Sequence, residues 1–311
     1  MNYEMFKLCF ETGIHIGQGK LSDAESTIMA DTLFSALCQE AVLLYGNKGI
    51  ERLVSLVERE ELLLSDAMPI HDNTFYIPKP MIRIEAGENS DSVLKKQFKK
   101  MKYIRFDNLE DYLNGTMDPK EENNAMEDFG KTEIRTMASV LENQDATPFP
   151  VGVFQYGKGW GLYFILGYAT QETRDFVEDL LMSLEMSGIG GKRSSGLGKF
   201  RLDYGSMPDD FLKRLNTGRK GISQMTLSVS MAEDSALETV LQEAQYSIVR
   251  RGGFVSSYTY SQSFRRKQDF YMFKAGSTFM TPYMGVLKDV SSGGNHAVYR
   301  YGKPLFLELT I

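Results

Sequence analysis

Long hydrophobic runs are missing from this sequence of 311 residues. Because no stretch of about 18 consecutive apolar residues occurs, a membrane-spanning helix is not expected. The start, MNYEMFKLCF, also lacks the order of basic, apolar and small residues that a signal peptide has. We therefore expect a soluble protein of the cytoplasm. Its 42% of hydrophobic residues suffice for one large core or for two modest ones.

Cysteine and histidine are scarce as well. The two cysteines, Cys9 and Cys38, have neither CxxC spacing nor a histidine nearby, so we expect them to be small core residues. Acidic pairs such as Asp209 and Asp210 have no histidine at ligand spacing, and the motifs HExxH and GxSxG are absent. The sequence therefore predicts no metal, no cofactor and no catalytic residue in this chain.

The charge of the chain is negative overall but unevenly distributed. A net charge of −6 and an isoelectric point near 5.3 argue against a protein that coats nucleic acid with its whole surface. Positive charge is clustered within 95–105, 192–201, 213–220 and 265–267, whereas the charges of 107–128 are nearly all acidic. Since such blocks are usually solvated faces, only a block with a second signal indicates function.

The first part of the chain begins with a strand and a long helical region. Residues 3–10 alternate between apolar and polar side chains, which predicts a strand. Asp31 is expected to cap a helix that ends at Gly46, and a second helical pattern follows at 50–64. The prolines of the next segment, FYIPKP at 75–80, exclude a central strand there.

Two strands, a helix and a last strand follow in the same part. VGVFQY and WGLYFILGY flank a Gly157-Lys158-Gly159 turn, which predicts that they form a β-hairpin. A helix from Thr170 to Gly188 and the strand GKFRLDY complete the order. With the pattern at 50–64 counted as an elaboration of the first helix, this succession of four strands and two helices is the ferredoxin-like or RRM-like arrangement. It places a glycine-rich loop between the second helix and the last strand.

We predict an α+β protein with tandem ferredoxin-like (RRM-like) domains, the first at 1–205 and a second, degenerate one at 206–311. The second domain is expected to hold strands at TLSVSMA, 246–251, 269–274 and PLFLELTI, and a helix at 234–244. The stretch from about 85 to 133 is polar, charge-segregated and weakly periodic. It predicts a mobile arm inserted into the first domain.

The glycine-rich loop, SGIGGKRSSGLGKF, has the composition of a phosphate cradle. The candidate phosphate-binding residues of this loop are Gly188, Gly190, Gly191, Lys192, Arg193, Ser194, Ser195, Gly196 and Gly198. Glycines let backbone N–H groups converge on an anion, while lysine, arginine and serine add charge and donors. A nucleotide P-loop would need a lysine after Gly196, where Leu197 stands. The alternative to a phosphate cradle is a flexible connector.

A glycine-rich loop after the second helix of a ferredoxin-like domain resembles the corresponding loop of the RAMP superfamily of CRISPR-associated proteins. Several further stretches resemble one of its families, the fourth subunit of the Csm effector complex of type III-A CRISPR systems. These stretches are GIHIGQGKLSDAEST, MADTLFSAL, FYIPKP, VFQYGKGWGLYFIL, GIGGKRSSGLGKF, RRGGFVSS and NHAVYRYGKPLFLEL. The resemblance spans 12–309, although 85–133 contains no matching motif.

Membership of that family implies a non-catalytic subunit that binds the repeat-derived 5′ handle of the crRNA. The subunit would contact the large polymerase-like subunit and the backbone subunit, and would meet target RNA only indirectly. The resemblance implies RNA contacts from the loop 188–198, from His15, Gln18 and Lys20, from Asp31 and Thr32, and from Arg135. Ala30 replaces a serine that is usual in the family. Members of the family use a projecting hairpin to displace a base. In this chain, 85–133 would correspond to that hairpin by position.

The sequence leaves two enzymatic alternatives open. Some RAMP proteins cut RNA without a metal, using a histidine as general acid or base, and His15 is the candidate for such an endoribonuclease that processes crRNA. A nucleotide-dependent enzyme is disfavoured by the missing lysine of the P-loop. The basic and aromatic segment RRGGFVSSYTYSQSFRRK suits base stacking, but it equally suits an amphipathic strand pair with a solvated rim.

Overall fold

The computed structural model describes residues 1–17, 19–83, 92–139, 145–215, 217–257, 259–261, 263 and 265–310, without the side chains of 92–95. The strands up to residue 205 are β1 (Asn2–Phe10), β2 (Leu62–Leu64), β3 (Met68–His71), β4 (Thr74–Pro78), β5 (Tyr103–Arg105), β6 (Gly130–Ser139), β7 (Thr147–Tyr156), β8 (Trp160–Tyr168) and β9 (Phe200–Gly205). The helices there are α1 (Ala30–Glu58), α2 (Ser92–Lys100), α3 (Leu109–Leu113), α4 (Pro119–Ala125) and α5 (Gln171–Ser187). None of the helices in these ranges is long and apolar enough to cross a membrane.

The main sheet is antiparallel and has the order β5-β4-β3-β8-β1-β9, with β2 also pairing with β8. Strand β8 is buried along almost its whole length, because α1 and α5 cover one face and other apolar segments cover the opposite face. A ferredoxin-like sheet has its four strands side by side in the order fourth, first, third and second of the chain. Strands β9, β1 and β8 and the broken strand β2–β3 take these four places in that order. The predicted fold class is confirmed.

The predicted pairing of 151–156 with 160–168 is wrong. Strand β7 pairs with β6 over ten residues, from Gly130 opposite Tyr156 to Ser139 opposite Thr147. The second strand of the ferredoxin-like order comes from 62–71 instead, a segment that the sequence partly assigned to a helix. Its apolar run, interrupted at Ser65 and Asp66, is too short to reveal a strand period, whereas β7 and the glycine turn imitate a local hairpin.

The start of α1 also differs from the prediction. The residue that precedes the helix is Met29, and it makes no side-chain cap. Asp66 Oδ1 instead accepts a hydrogen bond of 2.8 Å from the N–H of Ala30, so a residue far along the chain satisfies a free helix donor. Asp31 lies inside the first turn. Gly46 breaks the helix as expected, with φ of 62°, but the helix resumes and ends at Glu58.

The described residues of the predicted arm, 92–133, are mostly part of the folded body, so the mobile-arm prediction is wrong for them. Residues 84–91 lie outside the described part. Strand β5 pairs with β4, so β4 is an inner strand and the expectation from the prolines of 75–80 was wrong, since Pro78 is only its last residue. Ile104, Phe106, Leu109 and Tyr112 are buried in one cluster with residues of the sheet. Charged residues surround these apolar positions in the sequence, so the sequence pattern did not indicate that this segment packs into a core.

The projecting element of the molecule is the β6–β7 hairpin. Most side chains of β6 are exposed, including Ile134 at 68%. The outer ends of the two strands are exposed as well, whereas Val151 and Val153 of β7 are buried at its base. The turn, 140–144, lies outside the described residues. A projecting hairpin therefore exists, but it is formed by 130–156 and not by 85–133.

The remaining elements are short. They are α6 (Asp209–Arg214), β10 (Gln224–Thr226), α7 (Leu237–Val240), β11 (Ile248–Arg251), β12 (Phe270–Phe273), β13 (Thr278–Phe279), β14 (Val286–Asp289), β15 (Tyr299–Gly302) and β16 (Phe306–Glu308). They pair antiparallel as β13-β10-β16, β11-β12 and β14-β15. Met225, Leu227, Leu305 and Leu307 share a core with residues of β1 and β8. The division of the chain at residue 205 therefore stays a prediction.

Candidate nucleic-acid interface

The glycine loop, 188–198, is closed at its base by backbone contacts. Gly188 ends α5 with φ of 75°, and its N–H donates to Leu184 O at 2.7 Å. The N–H of Ile189 donates to Gly198 O at 2.9 Å. Gly198 itself has φ of 75°, and a Cβ atom there would lie 1.9 Å from Ile189 O. Glycine is therefore required at 198 for both its backbone angle and this close approach.

His15 joins the glycine loop to its neighbours from a buried position. Its backbone O accepts a hydrogen bond of 2.8 Å from the Gly191 N–H, and its ring Nδ1 donates to Gly152 O of β7 at 2.7 Å. A Cβ atom on Gly191 would lie 2.7 Å from His15 Cδ2, so glycine lets the ring pack against the loop. With only 7% of its surface exposed, His15 acts as a support. The predicted direct contact with RNA is not what this geometry favours.

The tip of the loop carries a lysine and two serines at the surface. Lys192 has a left-handed backbone, with φ of 61°, and begins a 3-10 turn whose Ser194 and Ser195 are exposed. The Lys192 Nζ lies 4.5 Å from the ring centroid of Phe149 on β7. Within the described part of the chain, the backbone N–H groups of Arg193 and Ser194 make no hydrogen bond. These groups are available to an anion.

Arg193 points away from that surface and towards α1. Its guanidinium donates to Gln39 Oε1 at 3.0 Å and to Gly188 O at 3.3 Å, and it lies 3.8 Å from the buried carboxylate of Glu40. This arginine therefore holds the loop on α1. The sequence treated Arg193 and Lys192 as equivalent phosphate ligands, but the structure separates the two.

Residues 149–152 of β7 bring the other predicted contacts together. The turn that carries the exposed Lys20 is held to β7 by a hydrogen bond of 2.7 Å from the Gly152 N–H to Leu21 O. Arg135 on β6 lies opposite Val151, is partly exposed and lies 3.7 Å from the Glu133 carboxylate. Gln18 lies outside the described residues. We call the surface formed by Lys20, Arg135, Lys192, Ser194 and Ser195 the loop surface.

Asp31 and Thr32 do not belong to the loop surface, and their side chains are engaged by arginines instead of being free for the predicted RNA contact. The Asp31 carboxylate accepts hydrogen bonds from Arg251 Nε at 2.9 Å, from Arg251 Nη2 at 2.8 Å and from Arg300 Nη1. Thr32 Oγ1 accepts a further hydrogen bond of 2.8 Å from Arg251. Burial opposes ionisation of Asp31, but the two guanidiniums outweigh it and hold its pKa below the usual value.

The sequence missed this buried ion cluster. Arg251 lies in the segment RRGGFVSSYTYSQSFRRK, which suited base stacking or a solvated rim, and Arg300 lies in VYRYG, to which the residues alone assigned no role. A charged residue on the inner face of an apolar strand is the signal that could have found it, since buried charges need partners. The cluster connects α1 with β11 and β15, and it therefore holds the later part of the chain on the first helix.

The other two histidines are engaged in ring and hydrogen-bond contacts. His71 stacks on Trp160 with ring centroids 4.6 Å apart. The ring of His296 is hydrogen-bonded to the Ser257 hydroxyl and to Ala297 O. Within the described residues, no group of three or more His, Cys, Asp or Glu side chains is placed to hold a metal ion.

A ferredoxin-like sheet with a glycine-rich loop between its second helix and last strand defines the RAMP class of proteins. The family model for the RAMP superfamily matches residues 7–201, and the model described as the CRISPR Csm4 C-terminal domain matches residues 219–309. The chain is 34% identical over 310 residues to the CRISPR-system protein Csm4 of Mycobacterium tuberculosis, covering 99% of this chain and 98% of the relative. It is 30% identical over 319 residues to Csm4 of Streptococcus thermophilus, covering the whole of both. The chain belongs to the Csm4 family.

Solved structures agree with this fold. A crystal structure of the Csm3–Csm4 subcomplex in the type III-A CRISPR-Cas interference complex matches with a TM-score of 0.68, at 18% identity and over 98% of each chain. A structure of a Csm1–Csm4 cassette in complex with AMPPNP matches with a TM-score of 0.62, at 16% identity and over 98% of this chain and 96% of that one.

Proposed function

We propose that this chain is a non-catalytic, crRNA-binding subunit of a type III-A CRISPR interference complex that serves antiviral defence. It holds the repeat-derived 5′ handle of the crRNA on the loop surface. It also contacts the large polymerase-like subunit and the backbone subunit, in which the cleavage activities reside. A cytoplasmic location goes with this assignment as a prediction.

The observation that carries the proposal is the convergence of three separate segments on β7. The turn at Lys20, the glycine loop at Lys192 and the strand at Arg135 all contact β7 within residues 149–152. Cations, hydroxyls and free backbone N–H groups are the donors that bind phosphate oxygens. They contact the backbone and not the bases, so the loop surface supplies affinity without reading a sequence.

The β6–β7 hairpin is the proposed separator at the end of the handle. It extends from the loop surface and carries the exposed apolar residue Ile134 next to Arg135. Because neighbouring residues of a strand face opposite sides, the Ile134 side chain lies on the side away from Arg135, where an exposed apolar group suits contact with a base that has been displaced from its stack. The hairpin takes over the role that the resemblance assigned by position to 85–133.

An exposed apolar face on α1 and α5 is the proposed contact for a neighbouring subunit. Tyr45 on α1 donates to Asp179 on α5 at 2.8 Å, so the two helices are held side by side. Leu43, Met182 and Met186 are exposed on these helices, Met186 by 87%. Apolar side chains grouped in this way favour a protein interface. The matching solved structures hold a Csm4 chain together with Csm3 in one case and with Csm1 in the other.

The alternative function, a metal-independent endoribonuclease, gains no support from the geometry. His15 is buried, and its Nδ1 is engaged with Gly152 O. A general acid or base must reach the proton that it transfers, and a side chain behind the glycine loop does not reach an RNA on the loop surface. Incubation of repeat RNA with the purified chain tests this alternative, since cleavage lost in His15→Ala would restore it.

The proposed function is tested by purifying the chain with its operon neighbours and sequencing the RNA that is bound. We expect RNAs that share one repeat-derived 5′ tag. A complex that carries Lys20→Ala with Lys192→Ala should lose tagged RNA, whereas one with Lys213→Ala and Lys220→Ala, which removes the same charge from exposed sites, should keep it. An assembled complex without tagged RNA would contradict the proposal.

A further inference from the structure

A second basic surface lies beyond β11 and β12, where the two strands continue as a ribbon. The N–H of Lys267 donates to Gly253 O, and the N–H of Val255 donates to Arg265 O, both at 2.9 Å. Phe254 and Arg266 form a bridge between these bonds. We call residues 253–255 and 265–267 the basic ribbon. It brings three consecutive cations to one end of the strand pair.

The cations of the basic ribbon form no ion pair within the described chain. No described carboxylate lies within 4 Å of the charged groups of Arg265, Arg266 or Lys267, whereas Arg250 and Arg251 nearby have acidic partners. Lys267 donates to Ser35 Oγ at 3.4 Å, and burial together with the positive Arg300 lowers its pKa. The Nε of Arg300 has no hydrogen-bond partner in the described structure. This end of the molecule has an excess of positive charge that attracts an anion.

The basic ribbon also presents an aromatic ring. Phe254 is 60% exposed, and the guanidinium of Arg266 lies 5.9 Å from its ring centroid. A Cβ atom on the neighbouring Gly253 would meet nothing within 4 Å, so the space beside the backbone is open. An exposed ring beside unpaired cations is the arrangement with which proteins hold single-stranded nucleic acid without reading its sequence.

The first turns of α1 connect the basic ribbon with the glycine loop. Arg251 is hydrogen-bonded to Thr32, Lys267 to Ser35 and Arg193 to Gln39. Positions 32, 35 and 39 lie on one face of the helix, and they span about 10 Å, the length of about three stacked nucleotides. These contacts therefore fix the basic ribbon and the glycine loop along one face of α1.

We propose that the basic ribbon is a second RNA contact, in which Phe254 stacks on a base and the exposed Arg265 and Arg266 hold the flanking phosphates. The RNA on the loop surface continues along α1 to this ribbon. The inference rests on the proposed function, because it assumes that single-stranded RNA lies on the loop surface. Its ligand class is single-stranded RNA irrespective of sequence.

The test measures binding of fluorescent single-stranded RNA of about 16 nucleotides, the upper end of the usual site size, to the full chain by anisotropy. Phe254→Leu keeps an apolar side chain and removes the ring, and it should weaken binding about fivefold or more. Arg265→Ala with Arg266→Ala should lower the salt slope by about 1.4, as expected for two lost contacts to a single strand. The matched control is Lys213→Ala with Lys220→Ala, which should bind as the unchanged chain does.

The outcomes separate this inference from the proposed function. If the ribbon variants bind RNA normally while Lys20→Ala with Lys192→Ala binds poorly, the inference fails and the proposed function stands. If both sets bind normally, both fail. Ribbon variants that keep RNA but lose a protein partner would make the ribbon a protein contact and overturn the inference. Crosslinking of 4-thiouridine RNA to the unchanged chain should also label the peptide with Phe254, and labelling confined to the loop surface would contradict it.

Discussion

At the scale of single residues, Asp31 is the side chain on which the arrangement of the two parts of the chain depends most. One buried carboxylate accepts hydrogen bonds from both Arg251 and Arg300, which come from strands more than 200 positions further along the chain. Such a cluster costs desolvation when it forms, but removing the Asp31 carboxylate leaves two largely buried guanidiniums without the anion that they are paired with. Its role is therefore to fix the positions of β11 and β15 relative to α1.

We expect Asp31→Asn to lower the free energy of unfolding by about 3–5 kcal/mol, the usual cost of breaking a buried ion pair from one side. Urea denaturation of the purified chain measures this change. The control is Glu172→Gln, which breaks a surface pair with Arg52 in which the Glu172 side chain is 84% exposed, and little change is expected there. Equal effects of the two variants would show that the cluster is not a structural centre.

Asp66 gives a prediction about pH. Burial raises its pKa from 3.8 to about 7, although it accepts hydrogen bonds from the N–H groups of Ala30 and Val229. Between these values the folded chain keeps a proton that the unfolded chain has released, so stability falls as the pH rises, by at most about 1.4 kcal/mol per pH unit. Asp66→Asn keeps the acceptor and cannot ionise.

The difference between urea midpoints at about pH 5 and about pH 8 should therefore be smaller in Asp66→Asn than in the unchanged chain. Comparing the two proteins cancels the contributions of other titrating groups. An identical pH dependence in both proteins would mean that Asp66 is not protonated in the folded state near pH 5.

At the scale of elements, the glycine loop depends on its closure as much as on its charge. Both Gly196 and Gly198 have positive φ, but only Gly198 has a backbone atom, Ile189 O, within reach of an added Cβ. Gly196→Ala should cost about 1–2 kcal/mol of backbone strain and leave the loop in place. Gly198→Ala must also displace Ile189, so it should weaken RNA binding several-fold more than Gly196→Ala. Equal RNA affinities in the two variants would contradict this account of the loop.

The elements that could be predicted from the sequence are those with a strong local signal. The helix from Thr170 and its stop at Gly188, the break at Gly46 and the apolar strand β8 all follow from periodicity and glycine. The second strand of the sheet could not be predicted, because three residues of β2 and four of β3 are too few to show a period. The pairing of β7 with β6 depends on contacts between distant segments, whereas the prediction relied on the local glycine turn.

The candidate site was predictable in composition but not in geometry. Lysine, serine and glycine at 188–198 indicated a phosphate cradle, and Lys192, Ser194 and Ser195 lie at its surface. Their neighbours did not follow from the sequence, since only the fold turns His15 inward and directs Arg193 to Gln39. The role of β7 as the common support was equally hidden, because it comes from contacts between distant segments.

At the scale of the whole molecule, RNA and protein partners are expected on different surfaces. The loop surface lies around β7, whereas Leu43 and Met186 lie on the exposed side of α1 and α5. We expect Leu43→Glu with Met186→Glu to reduce the amount of chain that co-purifies with its partner subunits, because two charges would be buried at an apolar contact. The urea midpoint of the isolated variant should stay nearly unchanged, because both side chains are exposed. Normal assembly of this variant would exclude the α1–α5 face as an interface.

The central claim is that the loop surface holds an RNA backbone, and the salt dependence of RNA binding tests it most directly. Binding of the full chain to 5′-handle RNA is measured over a range of salt concentrations for the unchanged chain, for Lys20→Ala with Lys192→Ala, and for the charge-matched Lys213→Ala with Lys220→Ala. Loss of two phosphate contacts should lower the slope of log affinity against log salt by about 1.4 in the loop variant only. An unchanged slope in the loop variant, or an equal loss in both variants, would contradict the claim.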